Sequence, residues 1–210
     1  MRMLVGCATL RVVGLVLFVL LVGCKDAPRN AALPDGATVL ALGDSLTFGT
    51  GATPETSYPS ILAKASAWDV INAGVPGDTA AKGCARLPGL MDEHRPKLVL
   101  VLLGGNDFLR RAPERDVYDA LERCIASARA GNAAVALIAV PRFGASGISD
   151  APLYAEAGTA MNVPVLDAGL STLLAQRAMR ADAVHLNAAG YREMALTLVA
   201  ALRAQGWLSP

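Results

Sequence analysis

Short, nearly unbroken apolar runs alternate along this chain with longer segments whose apolar residues recur every three or four positions. Thr38-Val39-Leu40-Ala41-Leu42-Gly43 is such a run, ending in glycine, and predicts a strand buried on both faces. Trp68 to Asn72 predicts a second short strand, and Leu98 to Leu103 is the clearest buried strand of all. Ala133 to Val140 predicts a fourth, and Val163 to Leu166 a short fifth. Between them lie helical patterns. Tyr58 to Ala67 places Ile61, Leu62 and Ala65 on one face, and Thr79 to His94 does so with Leu87, Leu90 and Met91. Pro113 to Ala130 aligns Val117, Leu121, Cys124, Ile125 and Ala128, and Ala188 to Gln205 closes the series. Strands alternating with helices predict a three-layer α/β/α sandwich on a mainly parallel, five-stranded sheet.

The first residues follow a different pattern. Arg2 and Arg11 precede an apolar run from Val12 to Val22, which is too short for a bilayer span and has the length of a signal-peptide core. It ends in Leu21-Val22-Gly23-Cys24, which resembles a bacterial lipobox. A membrane helix beginning near Met3 is the competing reading. The resemblance implies a lipoprotein signal over residues 1–23, lipidation of Cys24, and a place in the bacterial cell envelope, anchored in the bilayer. Lys25, where other lipoproteins carry an inner-membrane aspartate, points to the outer membrane. The Ala-, Pro- and Asn-rich stretch to Gly36 reads as a tether. One domain is expected over residues 37–210.

Composition narrows the partners. The chain is 53% hydrophobic and 18% charged, which excludes a disordered protein. Arg2 and Arg11 are the only charged residues before Cys24, so the 19 basic residues become 17 against 18 acidic ones once the leader is removed. That balance offers no support for a nucleic-acid partner.

Four motifs carry candidate chemistry. Gly43-Asp44-Ser45-Leu46 follows the first strand, and Gly74-Val75-Pro76-Gly77-Asp78-Thr79 the second. Gly104-Gly105-Asn106-Asp107 follows the third strand, and Asp182-Ala183-Val184-His185 precedes the last helix. Singly, each has an ordinary reading. The first is an Asp/Ser helix cap, the second a Gly/Pro turn into a helix capped by Asp78, the third a turn, and the fourth a loop with an exposed histidine. Together, the first three lie at carboxyl ends of parallel strands and converge on one sheet edge, where α/β folds bind ligands. Asp182 and His185, three residues apart, can share one side of a turn. The set holds a hydroxyl nucleophile, a base, an acid to orient the base, and amide donors, which is what acyl transfer needs. His94, the second of the two histidines, falls at the opposite sheet edge and reads as a surface residue.

In order and spacing, these four blocks resemble those of the SGNH/GDSL hydrolases, from Val39 to the last helix. The run Gly77-Asp78-Thr79, Ala85-Arg86-Leu87-Pro88, Arg95-Pro96 and Gly104-Gly105-Asn106-Asp107 is similar to the bacterial periplasmic thioesterase, esterase and lysophospholipase branch. The resemblance implies a flavodoxin-like fold and hydrolysis of acyl esters or thioesters, with no cofactor and no metal. It implies Ser45 as nucleophile, His185 as base and Asp182 as its partner. The Ser45 amide, the Gly77 amide and the Asn106 side chain are implied as oxyanion donors, with Gly74 the alternative to Gly77. Phe108 and Leu109, followed by Arg110-Arg111, stand where related thioesterases carry a mobile substrate loop, and are expected to meet the acyl chain. Residues 141–162 are compact and glycine-bearing, a little shorter than in that branch. Carbohydrate or peptidoglycan O-acetyl esterase activity is the alternative within the family. A surface lipoprotein that binds a partner is the alternative outside it. Cys84 and Cys124 fall on helices that could lie side by side, as a disulfide or as two buried thiols.

Overall fold

The computed structural model describes residues 30–144 and 147–209. The signal segment and Cys24 lie outside the described residues. The chain alternates strand and helix: β1 (Thr38–Gly43), α1 (Ser45–Phe48), α2 (Tyr58–Ser66), β2 (Asp69–Gly74), α3 (Ala80–His94), β3 (Leu98–Leu102), α4 (Gly105–Leu109) and α5 (Glu114–Ala130). There follow β4 (Ala134–Ile138), β5 (Pro141–Gly144), β6 (Gly147–Asp150), α6 (Leu153–Met161), β7 (Val165–Leu166), α7 (Leu170–Ala175) and α8 (Ala188–Ala204).

The main sheet has five parallel strands in the order β2-β1-β3-β4-β7, with helices packed on it, as the apolar runs predict. Every residue of β3 is buried, and β1 is buried after its first residue. These strands are apolar throughout because both faces are covered. Helix α3 packs on α5 and α5 on α6; α2 packs on α8. From β1 the chain steps one way to β2, then returns past β1 to β3, β4 and β7. The strand order therefore reverses between β1 and β3, and a crevice opens at their carboxyl ends.

Several boundaries move. Strand β2 runs on to Gly74, which pairs with Gly43. The fifth strand shrinks to Val165–Leu166 because Pro164 has no N–H to give and only its carbonyl serves, accepting from the Leu137 amide at 3.0 Å. Strand β4 stops at Ile138, and the segment after it forms an antiparallel hairpin, β5 with β6, that the sequence pattern did not predict. Residues 30–36, expected as part of a tether, lie against the domain. The Asn30 amide donates to the Gln205 carbonyl at 3.1 Å and the Leu33 amide to the Trp207 carbonyl at 2.8 Å. Cys84 on α3 and Cys124 on α5 form a disulfide, with Cα atoms 5.0 Å apart.

Candidate active site

Ser45 is the first residue of α1, two residues beyond the end of β1. Asp44 caps that short helix, its Oδ1 accepting from the Leu46 amide at 3.0 Å. The cap reading and the nucleophile reading are therefore compatible, because Asp44 does the capping and leaves the Ser45 hydroxyl free to face the crevice.

The loop before α8 is folded around Asp182. Its Oδ1 accepts from the Val184 and His185 amides, each at 2.8 Å. Its Oδ2 lies 2.7 Å from His185 Nδ1, and His185 Nε2 lies 2.9 Å from Ser45 Oγ. Asn187 then caps α8, accepting from the Gly190 amide at 3.0 Å. Burial raises the Asp182 carboxyl, but the bonds from the His185 ring and the two amides outweigh it and hold it below the usual carboxylate range. An ionised Asp182 accepts only, so Nδ1 carries the imidazole proton and Nε2 is left to accept from the serine hydroxyl.

The third block brings Asn106 to the same place. Its Nδ2 donates to the Asp78 carbonyl at 3.0 Å and to Asp44 Oδ2 at 3.3 Å. The second block is held by residues whose roles the sequence did not show. Arg86 Nε donates to Asp78 Oδ2 at 3.0 Å, and its Nη2 donates to the Ala73 carbonyl at 2.9 Å. Asp78 is thus engaged by Arg86, and Thr79 caps α3 in its stead, accepting from the Lys82 amide at 3.3 Å. Buried Asp107 accepts from the Ala80 amide at 2.8 Å, tying the start of α3 to α4. Gly74 is required by packing, since a Cβ there would fall on the backbone of Phe48. Gly77 has φ +85°, a conformation that favours glycine, and its carbonyl accepts from Arg110 Nη2 at 3.1 Å.

A cavity of about 90 Å³ opens beside Ser45 and His185. Asn106, Leu109, Val140, Phe143 and Leu174 complete most of its wall; Gly77 and Phe108 do not line it. Phe108 instead packs edge-on against Tyr154, with ring centroids 6.4 Å apart. It lines a wider outer depression of about 470 Å³, which shares Leu109 and Phe143 with the inner cavity. Phe143 belongs to the β5–β6 hairpin, and for that reason no sequence signal pointed to it. His94 ends α3, with Nε2 3.6 Å from Glu93 Oε1, away from this site. Among the described residues, no group of His, Cys, Asp and Glu could hold a metal ion.

A serine, a histidine and an aspartate in hydrogen-bonded series at the switch point of a parallel sheet define a class, the hydrolases that act through a serine. Residues 41–193 match the GDSL-like Lipase/Acylhydrolase family; the chain belongs to it and is an ester hydrolase. An arylesterase of Vibrio mimicus is 36% identical over 143 residues, 64% of this chain and 68% of that protein. The thioesterase 1/protease 1/lysophospholipase L1 of Escherichia coli K12 is 40% identical over 98 residues, covering 46% of this chain and 47% of that protein. The crystal structure of TesA is 27% identical with a TM-score of 0.72, covering 80% of this chain and 99% of that one. The expected family and fold class are thereby borne out.

Proposed function

We propose that Ser45 is acylated by carboxylic ester or thioester substrates and that water then releases the acid. The observation that carries this reading is the 2.9 Å approach of His185 Nε2 to Ser45 Oγ beside an apolar-walled cavity. His185 takes the hydroxyl proton as Oγ attacks the carbonyl, and Asp182 stabilises the imidazolium that forms. The Ser45 amide and the Asn106 side chain, both of cavity-wall residues, receive the oxyanion, and the family resemblance adds the Gly77 amide from the loop that Asn106 holds through the Asp78 carbonyl. His185 then returns the proton to the leaving group and activates the water that cleaves the acyl-enzyme. Ser45→Ala is expected to keep the fold and lose nearly all ester hydrolysis, and a fluorophosphonate probe should label the wild type at Ser45 alone. Labelling at another serine would overturn the assignment.

The acyl chain is the natural occupant of the cavity. Leu109, 53% exposed, stands between the tight inner space and the wider outer one, so a long chain must pass it. Each buried methylene is worth about 0.8 kcal/mol, so Leu109→Ala should lower kcat/KM more for long acyl esters than for short ones. A uniform loss along the series would remove Leu109 from the chain's path. The small inner space also favours the second reading, a carbohydrate or peptidoglycan O-acetyl esterase. A wild-type preference for acetyl over longer acyl esters would select it.

The Val12–Cys24 pattern supports lipidation of Cys24 and anchoring in the bacterial cell envelope, with the outer membrane favoured by Lys25. The Cys84–Cys124 disulfide is in keeping with an oxidising compartment.

A further inference from the structure

Both hydrogens of the Asn106 side-chain amide are already engaged in the resting site. One goes to the Asp78 carbonyl at 3.0 Å and the other to Asp44 Oδ2 at 3.3 Å. A carboxamide nitrogen has two hydrogens, so an oxyanion above Ser45 must draw one from these two acceptors. The acceptors are unequal. The Asp78 carbonyl belongs to a loop braced by Arg86 on the Asp78 carboxylate and by Asp107 on the Ala80 amide. Asp44 makes the longer bond, and it keeps the Leu46 amide at 3.0 Å whatever Asn106 does. Asp44 is 2% exposed and lies in the cavity wall beside Ser45.

We propose that Asp44 is a positioning residue: its carboxylate aims the Asn106 amide at the cavity and yields that hydrogen bond to the tetrahedral oxyanion. Two acceptors around one end of the carboxamide fix that end as nitrogen, so the donor is set before substrate arrives. When charge develops on the substrate oxygen, Asn106 Nδ2 redirects one N–H hydrogen bond from the Asp44 carboxylate to the oxyanion while its other N–H stays on the Asp78 carbonyl. The donor is thus preorganised, and little reorganisation is left for the moment of reaction. This rests on the reading of Ser45 as nucleophile.

Asp44→Asn and Asp44→Ser test it. An asparagine offers one oxygen, so it can accept from Leu46 or from Asn106 but must turn an N–H toward the other. A serine keeps a capping oxygen for Leu46 and is too short to reach Asn106. Both variants should lower kcat about 10- to 100-fold with KM within about threefold, and should slow phosphonylation of Ser45 by the same factor. In an Asn106→Ala background, Asp44→Asn should cost less than about twofold more, because its route to the oxyanion is already gone. A wild-type kcat in either single variant, or the same loss with and without Asn106, would refute the role. A wild type that the phosphonate fails to label would instead sink the reading of Ser45.

Discussion

A carboxyl group taken out of water at neutral pH costs stability, and Asp44 is such a group. Burial raises it from 3.8 to about 6, against the Leu46 amide, the His185 charge and the Asn106 hydrogen bond, which lower it. Asp107 adds to the rise, and the Tyr58, Tyr154 and Tyr191 rings are the other titratable groups around it. The folded value lies above the unfolded one, so the penalty is absent below about pH 3.8 and complete above about pH 6. That gap corresponds to about 3 kcal/mol, less about 1 kcal/mol for the hydrogen bond an asparagine gives up. Asp44→Asn should therefore melt roughly 5 °C above the wild type at pH 8, with that advantage gone below about pH 4. A thermal shift that does not vary with pH would show that the carboxylate's charge is not its source. At this scale the groups that the fold gathers at the crevice were legible, because Ser45, Asn106, Asp182 and His185 fall in short blocks of fixed order. Their braces were not. Arg86 finds Asp78 eight residues back and a strand-end carbonyl beside it, and no spacing along the chain reports that meeting.

Among the elements, legibility followed burial. Strands β1, β3 and β4 are covered on both faces, so their sequences are unbroken apolar runs. Helix α5 buries one stripe, from Val117 to Ala128, and shows it at helical spacing. The β5–β6 hairpin has four-residue strands with largely open faces, so it lacks both an apolar run and a clean alternation. Missing it meant missing Phe143 in the cavity wall. The sequence left Cys84 and Cys124 open between thiols and a bridge, since two apolar helix faces accommodate either. Their pairing ties α3 to α5, two helices that already pack together, across a separation of 40 residues. Closing a loop of that length constrains the unfolded chain by about 4 kcal/mol. Cys84→Ala with Cys124→Ala should therefore lower Tm by roughly 10 °C. Neither cysteine lines the cavity, so kcat measured well below the new Tm should match the wild type. A loss of activity at that temperature would mean that the bridge also holds the catalytic edge.

At the scale of the molecule, the catalytic edge and the point where the leader joins are at opposite ends of α8. Asn187 caps that helix two residues after His185, and Gln205 and Trp207 at its far end receive the amides of Asn30 and Leu33. Its 17 residues separate the two by about 25 Å. If Cys24 carries the lipid, the six steps from Cys24 to Asn30 span at most about 20 Å. That is less than the helix itself, so a tether of this length cannot point the cavity mouth straight down at the bilayer with α8 upright. The anchored enzyme should then hydrolyse a water-soluble ester as fast as the free domain does. Anchoring should bring no gain on an ester lipid embedded in the same vesicle. Inserting about 20 Gly/Ser residues before Asn30 should release the constraint and raise the rate on the embedded lipid alone. The measurement compares lipidated and free protein on vesicles at equal surface concentration, with Cys24→Ser as the unanchored control. A faster attack on the embedded lipid by the anchored protein with its natural tether would show that the catalytic edge reaches the membrane, and the placement argued from α8 would be wrong.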